Sequence, residues 1–212
     1  MKRILSIIMA ALLISFLAIC GNNTQAEANE TQTVTDDGKE SAEDTNSAGE
    51  DMTPHSDVLV AYFSATGTTK GVAEKSAAIT GGDLYEIIPA EPYTDADLNY
   101  NDSSSRSTKE QNDRNARPEI GSEEIVLEGY TTIYLGFPIW WGEEPRILDT
   151  FVEKYSFEGI TVIPFCTSAS SGIGRSGPNM EALAGSGTWL EGERFSGSVS
   201  EADLQSFIEG LK

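Results

Sequence analysis

A single histidine, His55, and two cysteines, Cys20 and Cys166, are all the imidazole and thiol chemistry this chain carries. One histidine in a polar stretch offers no nucleophile–base pair, so hydrolytic chemistry finds no support. Basic residues are scarce as well: 14 Lys and Arg stand against 34 Asp and Glu, a formal net charge of -20. Nucleic-acid binding needs a basic surface to neutralise phosphates, and that class is disfavoured. An acidic surface instead steers basic protein partners, and it also serves solubility alone. The Gly-x-x-x-x-Gly-Lys-Ser/Thr string of triphosphate loops is missing, and the Gly-x-Gly-x-x-Gly string of dinucleotide sites does not follow the first strand.

What does follow the first strand is a loop of hydroxyls. Val58 to Phe63 is a short apolar run rich in β-branched and aromatic residues, the composition of a buried parallel strand. It turns abruptly into Ser64, Ala65, Thr66, Gly67, Thr68 and Thr69, and a helical pattern with Val72, Ala73, Ser76, Ala77 and Ile79 comes next. A helix start carries unpaired N–H groups and about half a positive charge, which suits an anion. Four side-chain hydroxyls exceed the needs of one helix cap. Neutral donors without an obligatory cation suit a terminal monoester phosphate, and Gly67 lets the backbone come close to it.

Ser64-Ala-Thr-Gly-Thr-Thr69 after Val58–Phe63 resembles the phosphate-binding loop of the flavodoxins. The pattern continues to Ala73, with departures at Ala61, where a larger apolar residue is usual, and at Ser76, where an aliphatic one is usual. The resemblance implies FMN, with its phosphate on Ser64, Ala65, Thr66, Gly67, Thr68 and Thr69.

The chain begins Met1-Lys-Arg3, followed by an apolar run from Ile4 to Ile19 and then Cys20. That run is shorter than the roughly 20 residues of a membrane span, so 1–19 reads as a signal peptide. Leu17-Ala18-Ile19-Cys20 resembles the bacterial lipobox, which implies lipidation of Cys20 and an exported protein held at the membrane. Ile19 departs from the small residue preferred there. Cleavage near Ala26 or Ala28, or an uncleaved anchor, are the alternatives. Residues 20–56 hold almost no large apolar side chain and read as a disordered acidic tether that includes His55. With Cys20 lipidated, Cys166 has no partner and reads as a small buried hydrophobe.

Residues 57–212 are long enough for one domain with a real core. Further strands are expected at Asp83–Ile88, Thr131–Pro138 and Ile160–Cys166, with a weaker one between Trp189 and Phe195. Helices are expected over Glu144–Tyr155, with Pro145 in the first turn, and after the capping box Ser200–Asp203. The alternation implies an α/β domain. With the resemblance it implies a flavodoxin-like, doubly wound, five-stranded parallel sheet of order 2-1-3-4-5, ligand at the carboxyl ends of its strands. Ala90–Pro118 is long and polar; it reads as a solvated excursion with short helices near 95–100 and 104–115.

Two more loops fall at the same sheet edge. The third strand ends in Pro138-Ile-Trp-Trp-Gly142, and indoles there suit a flat heteroaromatic ring better than a core. By resemblance, Pro138, Ile139, Trp140, Trp141 and Gly142 meet the flavin, either tryptophan stacking on it and the Gly142 peptide turning toward N5. The fourth strand runs into Thr167, Ser168, Ala169, Ser170, Ser171, Gly172 and Gly174, small and hydroxylated donors for the ring's pyrimidine side or the ribityl chain. The resemblance therefore implies an FMN-binding electron-transfer protein that is exported, membrane-anchored and served by a redox partner, which the acidic surface suggests is basic. An NAD(P)H-dependent FMN oxidoreductase acting on a quinone or other small acceptor is the alternative. A binding module that has lost its flavin is the third reading.

Overall fold

The structure, a computed structural model, describes residues 56–211. The expected signal peptide, Cys20 and the tether up to His55 lie outside the described residues. Strands β1 (Val58–Tyr62), β2 (Asp83–Glu86), β3 (Thr132–Pro138) and β4 (Thr161–Thr167) alternate with helices α1 (Thr68–Thr80), α2 (Arg106–Asn112) and α3 (Arg146–Lys154). Helix α4 (Ser176–Ala184), two short strands β5 (Thr188–Trp189) and β6 (Glu193–Phe195), and helix α5 (Glu201–Gly210) complete the domain. The strand order is β2-β1-β3-β4-β5, all parallel, with β6 also pairing with β4. This is the flavodoxin-like doubly wound sheet.

Alternation along the strands sends side chains to two cores. Leu59, Ala61 and Phe63 join Ile133, Leu135 and Phe137 in one core, closed by Ile147, Leu148, Phe151 and Val152 of α3 and Met180 of α4. Val60 and Tyr62 face the other way with Val72 and Ala73 of α1 and Leu204 and Ile208 of α5. The four α3 side chains are fully buried, and each contributes about 1.5–3 kcal/mol of gross burial energy. Gly136 sits where the sheet has no room for a side chain, since a Cβ there would fall 2.3 Å from the Phe165 ring.

Three expectations shift. Pro145 is the N-cap of α3 rather than part of its first turn, with ψ at 140°. A residue before proline avoids helical geometry, which holds Glu144 out of the helix as well. The fifth strand is split into β5 and β6 by Leu190–Gly192. Pro164 is the reason. Val162 O accepts from Leu190 N–H on the outer side of β4, so Pro164, two residues on, faces the same side and has no N–H to offer. Gly192 passes so close to Pro164 O that a Cβ would sit 2.5 Å from it.

The third shift is the excursion. Only Arg106–Asn112 is helical, and 95–100 forms turns. The segment is also tied down. The Ser105 side chain caps α2, the Ser107 N–H and hydroxyl both donate to Asp97 O, and Thr108 Oγ1 donates to Asp102 O at 3.1 Å.

Candidate functional site

At the carboxyl edge of the sheet, β1 delivers Ser64–Gly67 to the start of α1. Gly67 is the N-cap and takes φ 83°, which glycine adopts without strain. No side chain caps this helix, and the N–H groups of Thr68, Thr69 and Lys70 have no acceptor among the described residues. Ser64 Oγ is buried and has no hydrogen-bond partner among the described residues. A buried hydroxyl left unpaired costs about 1–3 kcal/mol, so this one is poised to take a ligand as its partner. The nearest lysine is engaged elsewhere, because Lys70 Nζ pairs with Glu86 at 3.2 Å. The loop thus offers neutral donors only, the arrangement that suits a phosphate monoester.

The tryptophans divide their labour. Trp140 N–H and Glu143 N–H each donate to the other residue's carbonyl at 3.0 Å, so Trp141 and Gly142 form a two-residue turn. Both have positive φ, 49° and 85°, the pattern of a type I′ turn. For Trp141 this is strained backbone, costing on the order of 1 kcal/mol. Trp140 is buried, edge-on to Phe63 at 5.5 Å and to Tyr93 at 5.1 Å, whereas Trp141 is 40% exposed. Gln111 Nε2 donates to Trp140 O and Glu144 O, both at 3.1 Å, bracketing the turn from α2.

In the third loop, Ser168 Oγ accepts from the N–H groups of Ser170 at 3.3 Å and Ser171 at 2.9 Å. Those two donors are therefore spent internally. Thr167 Oγ1 lies 2.8 Å from Thr69 Oγ1 and joins this loop to the first. A Cβ on Gly174 would be 3.2 Å from Gly142 O, so the loop also lies against the tryptophan turn.

The loops converge on a cavity of about 460 Å³, within the roughly 300–1,000 Å³ of ligand sites. Ser64, Ala65, Thr66, Thr68, Thr69, Pro138, Ile139, Trp140, Thr167, Ser168 and Ala169 line it. Gly67, Trp141, Gly142, Ser170, Ser171, Gly172 and Gly174 do not line it. Leu98, Tyr100 and Gly197 line it too, and sequence reasoning missed all three.

A model of the family described as Flavodoxin matches residues 57–211. The chain belongs to the flavodoxin family. Among solved structures, a flavoprotein candidate from Bacteroides eggerthii is 44% identical with a TM-score of 0.68, covering 73% of this chain and 96% of its own. One from Bacteroides uniformis is 43% identical with a TM-score of 0.69, covering 72% and 97%. A flavoprotein in complex with FMN from Lactobacillus acidophilus is 25% identical with a TM-score of 0.55, covering 70% and 97%. A search of the curated proteins gave no match.

Beneath the tryptophan turn of this flavodoxin domain lies a buried ionic cluster. Arg146 reaches Glu143 at 2.9 Å, Asp149 at 3.3 Å and Glu144 at 3.7 Å, and Asn179 Nδ2 donates to Glu144 at 3.3 Å. Burial pushes the Glu144 carboxyl up to about 7, and the Asp149 carboxylate pushes the same way. Cys166 is fully buried, and burial pushes its thiol up to about 12, which makes it a packing residue. A Gly-x-Gly-x-x-Gly string does occur after β4, as Gly172–Gly177. The cavity beside it holds Glu181 and Glu191, which oppose a pyrophosphate.

Proposed function

We propose that this flavodoxin-family protein binds FMN and carries electrons one at a time, exported and tethered to the membrane by a lipid on Cys20, with a basic redox protein as partner. One observation carries the cofactor reading: unpaired Ser64 Oγ, Thr66, Thr68 and the bare start of α1 face one cavity shared with the tryptophan strand end. FMN supplies the electron-carrying chemistry; the chain binds it, orients it and keeps water from it. The hydroxyl loop holds the phosphate and Pro138–Trp140 border the ring, at the start of a turn whose ends are bracketed by Gln111. The FMN complex of the Lactobacillus acidophilus relative supports FMN as the ligand. The net charge of -20 supports slow exchange with NAD(P)H, whose phosphates it repels.

The purified protein is expected to be yellow and, under stepwise anaerobic reduction, to take up its two electrons at resolved midpoint potentials, with slow reduction by NADH or NADPH. Rapid stopped-flow turnover with either nucleotide would overturn the carrier reading in favour of an FMN oxidoreductase acting on a small acceptor.

The anchoring reading rests on Leu17-Ala-Ile-Cys20. Mass spectrometry of the membrane fraction is expected to find a mature chain beginning at lipid-modified Cys20, and Cys20→Ser is expected to release the domain or stall processing. An intact Ile19–Cys20 bond in the mature protein sinks it.

A further inference from the structure

The excursion of residues 90–118 has three large apolar side chains, Tyr93, Leu98 and Tyr100, in an otherwise polar stretch. All three are spent on the site. Tyr93 is the anchor: its ring meets Phe63 at 5.8 Å and Trp140 at 5.1 Å. Its hydroxyl donates to Glu110 at 2.6 Å, and the Arg106 guanidinium lies 4.1 Å over its face. Leu98 and Tyr100 line the cavity itself. The Tyr100 ring also stacks on Trp141 at 4.3 Å with a 32° tilt, joining the excursion to the tryptophan turn.

The placement is enforced from both ends. Ser107 ties to Asp97 O just before Leu98, Thr108 ties to Asp102 O just after Tyr100, and Gln111 ties α2 to the turn. A polar segment held this firmly, with its remaining apolar groups turned to a cavity, is built to contact something apolar. The third loop, Ser168–Gly174, has no aromatic residue with which to do so.

We propose that Leu98 and Tyr100 form an apolar wall of the flavin site that contacts the isoalloxazine ring, so that the excursion sets ring affinity while the hydroxyl loop sets phosphate affinity. This rests on the flavin reading above. Aromatic contact chemistry fits the ring and not the phosphate, and that difference makes the assignment testable.

The test is a fluorescence titration of the full domain with FMN and with riboflavin, for the wild type, Tyr100→Ala, Tyr100→Phe and Leu98→Ala. Tyr100→Ala is expected to weaken both ligands by the same factor, about tenfold, the scale of one lost aromatic contact. Leu98→Ala weakens both by a smaller common factor. Tyr100→Phe keeps wild-type affinity, because the ring and not the hydroxyl makes the contact. Tyr100 is 55% exposed and its ring packs on Trp141, so the flavin-free Ala variant loses no more than the few degrees of thermal midpoint that one aromatic pair is worth. Riboflavin affinity within twofold of wild type in Tyr100→Ala, or a loss confined to FMN, overturns the proposal while leaving the flavin site standing. A wild-type domain that binds neither ligand overturns the flavin reading and this proposal with it.

Discussion

Replacing Ser64, Thr66 and Thr68 together by alanine is expected to lower FMN affinity at least a hundredfold while leaving riboflavin affinity nearly unchanged. Each hydroxyl donates to a charged oxygen in the proposed complex, and such bonds are worth about 1.5–3 kcal/mol net. Three of them comfortably exceed the roughly 2.7 kcal/mol of a hundredfold change. Thr66→Ala with Thr68→Ala alone should cost at least tenfold. The flavin-free protein should not suffer, because Ser64 Oγ has no partner to lose and Thr66 and Thr68 make only a 3.4 Å contact with each other. Removing the buried orphan at Ser64 should even raise its unfolding free energy. Equal losses for FMN and riboflavin would remove the phosphate from this loop.

The second large effect concerns Glu144. Its side chain is buried at 1% exposure, and its carboxyl titrates at about 7 in the folded protein against an ordinary value of 4.5. Between those values the folded chain holds a proton that the unfolded chain has released. The stabilisation this gives is complete below about pH 4.5 and is lost as pH rises through about 7. Its full extent is about 3 kcal/mol. Glu144→Gln keeps an acceptor for Asn179 and has no proton to lose. Urea unfolding at pH 5 and pH 8 should therefore show the Gln variant gaining on wild type by up to about 3 kcal/mol at the higher pH. Asp149, whose carboxyl burial also raises, is coupled to Glu144 by its charge, so the pH-dependent difference belongs to the pair, and repeating it in an Asp149→Asn background isolates Glu144. A difference that stays flat with pH would mean that Glu144 is charged throughout, with Arg146 at 3.7 Å holding it so.

The sheet was legible because it is written locally. Apolar runs such as Val58–Phe63 and Thr132–Pro138 are buried on both faces and need no partner to be recognised. The first loop was legible for the same reason, since Ser64–Thr69 are contiguous. Tyr100 was not. Its role comes from a polar segment folding back over a cavity, and nothing adjacent in sequence records that return. Glu144 reads as a surface carboxylate until Arg146, Asp149 and Asn179 are seen to enclose it. The two tryptophans could not be separated by composition, because their difference is one of backbone. A type I′ turn after Trp140 sends Trp141 outward at positive φ while its neighbour enters the core. Helix α4, opening Ser176-Gly-Pro-Asn179, carries too little apolar periodicity to announce itself.

The gap that Pro164 forces between β5 and β6 also bears on how these molecules meet one another. An outer strand normally exposes a continuous row of backbone donors and acceptors onto which a second chain can add. Here that row is broken into segments of two and three residues with a glycine crossing between them. Neither segment is long enough to template a stable intermolecular ladder. A single imino acid in the neighbouring strand thus guards this flank against strand-by-strand fibre growth, a safeguard that matters most when many copies are crowded together.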